Sequence, residues 1–396
     1  MGESGAGSNK LNPNDRVLIT GGTGFLGGRL VEVLARRGIR PRVATSDFRH
    51  CARAARFSVE LVKADLRDAD ALSRAAAGCD LIFHFAYRFG GSPTEQQRAN
   101  VEGTKALAEA LLQHGGRRLV HISSVSAYGQ PRDGDLTETS PYQQTSDAYS
   151  NTKHAIDQTL LELHATRALP VVILQPTIVY GPNAPAWTMR LLEQVRTGRV
   201  ALPADGLGFC NAVYVDDVIA AVLLAADRSE AVGQALLISG SAPTTWRDFY
   251  GAYETMVDKH VLEYFDEKQL RGEARRQWLS RSPLGKIHRE LARRPAVRDY
   301  LGGQPPFSWI NAAARRLPAS AQAAVQQQLQ NLWQLPSPGT LPLFLPDSGE
   351  AALFGAKVNV RIDKARALLG YDPRFDLKHG MALTRDWAEW ANLLSD

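Results

Sequence analysis

The chain has 396 residues, 44% hydrophobic and 22% charged, with a formal net charge of +5. That length and balance support a large core and exclude a wholly disordered chain. The slight basic excess suits an anionic cofactor or substrate and is too small to indicate a nucleic-acid surface. Three cysteines, Cys51, Cys79 and Cys210, stand far apart with no metal-ligand spacing, so neither a disulfide framework nor a zinc site is expected and a reducing compartment fits. The opening stretch MGESGAGSNKLNPND has no apolar run of the secretory kind. No later stretch is long and apolar enough to span a bilayer. A soluble, cytoplasmic chain without a membrane partner is expected, with residues 1–14 a disordered tail.

In chain order, Arg16–Thr20 reads as a buried strand, followed by a Gly-rich turn and a helix at Gly27–Arg37. Strands follow at Pro41–Thr45 and Ser58–Lys63, a helix at Leu72–Ala77, a strand at Leu81–Phe85 and a long helix at Gln96–His114. Arg118–Ser123 is a strand, Asp147–Thr166 a second long helix and Val171–Leu174 a strand. Thr188–Thr197 and Val218–Ala226 read as helices, Val213–Val215 and Ala235–Ile238 as strands. Apolar runs of strand length alternating with helical periods predict an α/β fold, a doubly wound parallel sheet of the Rossmann type. This domain is expected over 15–180, with 211–240 returning to the sheet. A smaller C-terminal α/β substrate domain is expected from 181–210 and 241–396.

The second domain carries a helical insert at 258–350. It contains basic helical segments (Arg271–Trp278, Lys286–Arg294), Pro-rich stretches (Gly302–Pro306, Leu335–Pro346) and an Ala/Gln-rich helix (Ser320–Leu332). Its arginines are read either as a solvated face or as a lid over an anionic substrate. The end, Val358–Leu394, reads as ordered, with Trp387 and Trp390 on a closing helix.

Thr20–Gly28 reads TGGTGFLGG, in which Gly22, Gly24 and Gly27 fit GxGxxG and Gly21, Gly24 and Gly27 fit GxxGxxG. Glycines there permit a tight turn, a close approach to a pyrophosphate and close helix–strand packing, and the helix N-terminus offers free N–H groups to phosphate. The position directly after a strand and before a helix is the context that gives the motif weight. At the end of the second strand an NAD site usually has an acid, but this chain has Thr45 and Ser46, then Asp47, Arg49 and Arg53. Hydroxyls with arginines favour the 2′-phosphate of NADP; Asp47 reaching the ribose would favour NAD.

Tyr149–Lys153 reads YSNTK. Four residues apart on a helix, Tyr149 and Lys153 share a face. A neighbouring ammonium lowers a phenol's pKa toward the range in which it exchanges protons with substrate, and the lysine can also hold the nicotinamide ribose. The strand before them ends in Ser123 and Ser124 at the carboxyl edge of the sheet, where ligands bind in open α/β folds. His84, His121 and His154 show no ligand spacing and are read as structural; no metal is expected.

Together TGGTGFLG, Asp65-Leu66, His84-Phe85-Ala86, Asn100-Val101-Glu102-Gly103-Thr104, SSVSAYG, YSNTK, QPTIVYGP and YVDDV resemble the extended short-chain dehydrogenase/reductases, the NAD(P)-dependent epimerase/dehydratase family. The resemblance covers about Arg16 to Gly240 and the closing Asp363–Trp387. It implies Ser124, Tyr149 and Lys153 as catalytic residues. For the cofactor it implies Gly21, Thr23, Gly24, Phe25, Leu26, Thr45, Ser46, Arg49, Asp65, Leu66, Phe85, Ala86, Tyr87, Ile122, Tyr149, Lys153 and Pro176. Asp65 and Leu66 meet the adenine, and Pro176 lies beside the nicotinamide. Tyr87, Ser124, Ser126 and Thr177 are implied for the substrate, and the helices holding Asn100 and Tyr149 for a homodimer interface.

Two departures narrow the chemistry. Sugar dehydratases of the family carry acids just after the catalytic hydroxyl, where this chain has Val125 and Ser126, so water elimination is disfavoured. Nucleotide-sugar members often place a diphosphate-gripping arginine a few residues before YVDD, where this chain has Cys210, best read as a small core residue; Arg190 or an insert arginine is the substitute considered. An NADP-dependent ketoreductase or dehydrogenase acting on a small molecule is therefore expected. A nucleotide-sugar C4 epimerase with tightly bound NAD is the alternative, and a non-catalytic dinucleotide sensor a more distant one.

Overall fold

The computed structural model describes residues 11–130, 133–281 and 341–394. Its strands are β1 (Val17–Thr20), β2 (Arg42–Thr45), β3 (Glu60–Lys63), β4 (Leu81–His84), β5 (Arg118–Ile122), β6 (Gly134–Leu136), β7 (Val171–Pro176), β8 (Ile178–Tyr180), β9 (Arg199–Pro203), β10 (Ala212–Tyr214), β11 (Gln234–Ile238), β12 (Leu262–Phe265), β13 (Leu343–Phe344) and β14 (Val358–Val360). The helices are α1 (Phe25–Arg36), α2 (Ala69–Ala76), α3 (Pro93–Gln113), α4 (Ala148–Arg167), α5 (Arg190–Thr197), α6 (Val215–Asp227), α7 (Trp246–Val257), α8 (Glu267–Arg281), α9 (Ser348–Gly355), α10 (Asp363–Leu369) and α11 (Leu377–Trp390).

Seven strands form one parallel sheet in the order β3-β2-β1-β4-β5-β7-β11. In β1, Val17 and Ile19 enter the core on one face and Leu18 the core on the other, because alternate strand side chains point to opposite faces. A strand buried on both faces needs a continuous apolar run, which is why the Rossmann strands were readable. Each fully buried Leu, Ile or Val contributes about 1.5–3 kcal/mol. The strand order reverses between β1 and β4, and that switch point opens a crevice at the carboxyl ends of the strands.

The expected doubly wound sheet is thus present, with shifted boundaries. Helix α1 begins at Phe25, not Gly27, because Gly24 serves as its N-cap and the later glycines lie inside the helix. Leu11 N–H donates to Asp227 Oδ1 at 2.7 Å, so the last part of the tail expected to be disordered is tied to the end of α6. Within the Pro-rich stretch Leu335–Pro346, placed in the helical insert, Leu343–Phe344 forms β13, which pairs with β9. Arg271–Trp278 lies in α8; Lys286–Arg294, Gly302–Pro306 and Ser320–Leu332 fall outside the described residues.

Motif residues tie elements distant in the chain to one another. Asp216 of YVDDV takes a bidentate pair from Arg29 on α1, at 2.6 and 2.8 Å. Asp217 accepts the backbone N–H groups of Arg374 and Phe375 at 2.8 and 3.2 Å, docking the closing segment. Asn211 is buried, donates to Val358 O at 2.7 Å and accepts from Val360 N–H, holding β14 beside the cleft. No helix among the described residues is long and apolar enough to cross a membrane.

Candidate active site

The β1–α1 turn is shaped by backbone contact. Gly21 has φ +70°, and a Cβ there would lie 2.7 Å from the Ala86 nitrogen. A Cβ on Gly27 would lie 2.3 Å from the Gly21 carbonyl oxygen, against backbone that cannot swing away. Gly24 N–H donates to Gly21 O at 3.0 Å, closing the turn. Gly24 caps α1 without a side chain, so the helix offers its first N–H groups and the positive end of its dipole to a ligand. Gly21, Gly24, Phe25 and Leu26 line a cleft of about 1290 Å³. A backbone cradle emptied of side chains at a helix N-terminus fits a dinucleotide pyrophosphate.

The other expected cofactor residues end neighbouring strands. Thr45 and Ser46 follow from β2, Asp65 and Leu66 from β3, Phe85, Ala86 and Tyr87 from β4, Ile122 ends β5 and Pro176 ends β7. Thr23 sits inside the glycine turn. Phe85, Tyr87, Ile122 and Pro176 reach the cleft wall. Asp65 is paired with Arg67 at 2.9 Å, which holds its carboxyl below the usual range. Arg49 is committed to Asp47 by two bonds of 2.8 and 2.6 Å, and its guanidinium keeps the Asp47 carboxyl down at about 2. Arg53 differs. Its half-buried guanidinium lies 3.3 Å from where a Cβ on Gly28 would sit, and it has no hydrogen bond or ion pair among the described residues.

The segment after β4 is held by the NVEGT motif. Asn100 is buried and accepts Arg88 N–H at 2.7 Å while donating to Arg88 O at 3.0 Å and Gln96 O at 2.7 Å. A Cβ on Gly103 would meet Leu66 O at 2.3 Å, so only glycine lets α3 approach the end of β3. Thr104 and Thr20 bond the two ring nitrogens of His84, at 2.8 and 2.6 Å, which makes that histidine a structural one. Burial holds its pKa down at about 3, so it is neutral.

Tyr149 and Lys153 lie one turn apart on α4, whose N-terminus is capped by the Asp147 carboxylate. Ser124 faces the Tyr149 hydroxyl and draws its pKa down, but burial outweighs this and pushes it up to about 12. The expected lowering by Lys153 is therefore not the dominant effect here; the phenol stands fully protonated at neutral pH. Lys153 Nζ is 5.8 Å from the Tyr149 ring and 5.2 Å from the Tyr87 ring, and donates to Ile122 O at 2.8 Å. Tyr87 packs edge-on against Tyr149 with centroids 4.9 Å apart. Ser126 donates to Ser124 Oγ at 2.9 Å. The neighbouring Ser123 also lines the cleft, and its hydroxyl donates to Asp157 at 2.8 Å.

Beyond Tyr149 the cleft wall mixes apolar side chains with four aspartates, Asp133, Asp135, Asp147 and Asp347. Val125, Leu136, Trp187, Phe209 and Leu353 supply much of the apolar surface. Among the described lining residues the one cation is Lys153. Cys210 is 2% exposed within the core, its thiol pushed up by burial. Arg190 pairs with Glu350 and stacks 5.5 Å from the Trp187 ring, so its charge is already engaged. Thr177 lines the cleft, but its hydroxyl bonds Ser239 at 3.1 Å. Among the described residues no group of His, Cys, Asp and Glu is placed to hold a metal.

Sequence reasoning passed over Asp157, Gln175 and Asn211. Asp157 carried a signal, since it stands one helical turn beyond Lys153; Gln175 and Asn211 carried none, their roles depending on what packs against them.

A family model described as the NAD dependent epimerase/dehydratase family matches residues 17–239. The chain is 30% identical over 335 residues to a 2-alkyl-3-oxoalkanoate reductase of Stenotrophomonas maltophilia, across 78% of this chain and 100% of that one. It is 28% identical over 239 residues to a 4-hydroxy-2-methyl-3-oxo-4-farnesyl-3,4-dihydroquinoline-1-oxide ketoreductase of Stigmatella aurantiaca, across 59% of this chain and 71% of the relative. Among solved structures, a UDP-glucose 4-epimerase from Thermotoga maritima is similar in fold, with a TM-score of 0.65 at 18% identity over 95% of this chain and 99% of that one.

Proposed function

The chain belongs to the NAD dependent epimerase/dehydratase family, and from that membership we propose that it is an NADP-dependent reductase of an apolar ketone. It is an enzyme of extended short-chain dehydrogenase/reductase type, as its relatives' activities and its expected motifs agree. The observation that carries the finer reading is the cleft wall, whose described residues include no cation except Lys153 and several apolar side chains around Tyr149. A nucleoside-diphosphate sugar brings two phosphate charges that such a wall would leave unpaired beside aspartates. The similar reductase and ketoreductase, both named for oxo substrates, support the same choice.

With its pyrophosphate in the glycine cradle and its nicotinamide beside Pro176, a bound reduced dinucleotide would supply the hydride. Ser124 and Tyr149 both donate to the substrate carbonyl oxygen, fixing it and polarising its carbon. Tyr149 then gives up its proton to that oxygen, giving the alcohol. Burial keeps Tyr149 in the acid form before the step. Lys153 stabilises the phenolate as it forms. No carboxylate stands at Val125 or Ser126 to remove or add the proton that water elimination requires. With an apolar ketone present, NADPH absorbance is expected to fall steadily; no oxidation across alkyl, terpenoid and steroid ketones would count against the substrate class.

The cofactor is a nicotinamide dinucleotide; its 2′-phosphate is our assignment, resting on Arg53. A half-buried guanidinium beside the first turn of α1, with no hydrogen bond or ion pair among the described residues, suits a phosphate, whereas Arg49 is already paired with Asp47. Arg53→Ala is expected to weaken NADPH binding by about 10-fold or more while leaving NADH binding nearly unchanged. Equal loss for both cofactors, measured by fluorescence titration, would assign Arg53 a structural role. A homodimer through α3 and α4 is part of the same reading, and sedimentation equilibrium tests it.

A further inference from the structure

Behind the catalytic helix lies a buried polar cluster that the reaction as described does not use. Asp157 is 3% exposed and stands four residues after Lys153, so both occupy one face of α4. Its Oδ2 accepts from Ser123 Oγ on the β5 side and from Gln175 Nε2 on β7, each at 2.8 Å. Gln175 in turn accepts from the Tyr128 hydroxyl at 2.8 Å. Its Oδ1 has no hydrogen-bond partner among the described residues and lies 4.0 Å from Nε2 of His121. His121 is equally buried, has neither ring nitrogen bonded and is held neutral by burial. His84 on β4, also neutral, lies next to it with the ring centroids 5.0 Å apart and the planes tilted by 34°.

A carboxylate taken out of water in this way needs a counter-charge. With both histidines neutral, the cation that faces Asp157 is Lys153, itself 3% exposed and equally in need of one. The two do not form a direct ion pair among the contacts within 4.0 Å. The separation matters chemically. A direct bridge would occupy the ammonium protons, whereas a charge acting from one turn away stabilises the ammonium and leaves its remaining protons for the ligand.

We propose that Asp157 is a positioning residue whose charge, held in place by Ser123 and Gln175, keeps Lys153 protonated and so sustains Tyr149 as the proton donor. The proposal rests on the assigned roles of Tyr149 and Lys153. Its sign is definite. Burial draws the Lys153 pKa down and the Asp157 charge opposes that fall, while burial pushes the Asp157 carboxyl up and its bonds from Gln175 and Ser123 and the Lys153 charge oppose that rise. Without the charge, burial acts alone and Lys153 deprotonates at lower pH.

The test is the titration of Lys153 in cofactor-free protein carrying 13C at lysine Cε, with Lys153→Arg identifying the signal. In Asp157→Asn the midpoint is expected to fall by about one pH unit or more, and the alkaline limb of kcat/KM for ketone reduction to move down with it. Asp157→Glu, which keeps the charge, is expected to titrate like the parent. A Lys153 midpoint unmoved in Asp157→Asn overturns the proposal, and so does a Glu variant displaced as far as the Asn variant. Because the titration needs no substrate, its result stands apart from the ketone assignment: a shifted midpoint with no ketone reduced would refute the substrate class alone.

Discussion

Tyr149→Phe is expected to lower kcat by about 10² to 10⁴ while leaving the dissociation constant of the cofactor nearly unchanged. The substitution removes one oxygen from a buried ring and keeps its packing against Tyr87, 4.9 Å away between centroids. What is lost is the proton that must reach the carbonyl oxygen as the hydride arrives. Ser124 remains as a donor to that oxygen, but an aliphatic hydroxyl is a far weaker acid than a phenol and cannot replace it. Stopped-flow measurement of the hydride step separates this loss from any slowing of product release. Retention of more than a third of the parent rate would remove Tyr149 from the mechanism.

Gly27→Ala is expected to have the largest effect outside the catalytic trio. A methyl group there would lie 2.3 Å from the Gly21 carbonyl oxygen and 2.9 Å from the Gly22 Cα. Neither is a side-chain end that can rotate away, so α1 must retreat from the turn. Overpacking of this kind costs about 1–3 kcal/mol. Retreat also spoils the aim of the helix N-terminus at the pyrophosphate, and cofactor affinity is expected to fall by about 10-fold or more. Calorimetric titration and a denaturation midpoint measure the two parts separately. Parent-like values in both would mean that the turn is looser than its contacts indicate.

The seven-stranded sheet was legible because its central strands are buried on both faces and must be apolar throughout, as VLIT in β1 and VVIL within β7 illustrate. The small outlying sheets were less so. Their strands are two to five residues long and pair partners far apart in the chain, as β6 does with β14. A stretch such as Gly134–Leu136 carries no period by which to read it; a neighbour more than 200 residues away makes it a strand. Within the site, the glycine turn and the Tyr149–Lys153 pair announce themselves because their spacing is their mechanism. Arg49 and Arg53 looked alike in the sequence. Only contacts separate them: Arg49 is hydrogen-bonded to Asp47, whereas Arg53 lies against α1 with no hydrogen bond or ion pair among the described residues. Asp157 likewise gains meaning from Ser123, Gln175 and His121, which reach it from neighbouring strands.

The central claim is a net transfer of hydride from added cofactor to a ketone carbon. NADPH carrying deuterium at the transferred C4 position, incubated with the enzyme and an apolar ketone, tests it most directly. One deuterium is expected on the new carbinol carbon for each NADPH consumed, and almost none with Tyr149→Phe. A sugar nucleotide interconverted with no consumption of added cofactor and no deuterium in the product, alongside untouched ketone, would contradict it.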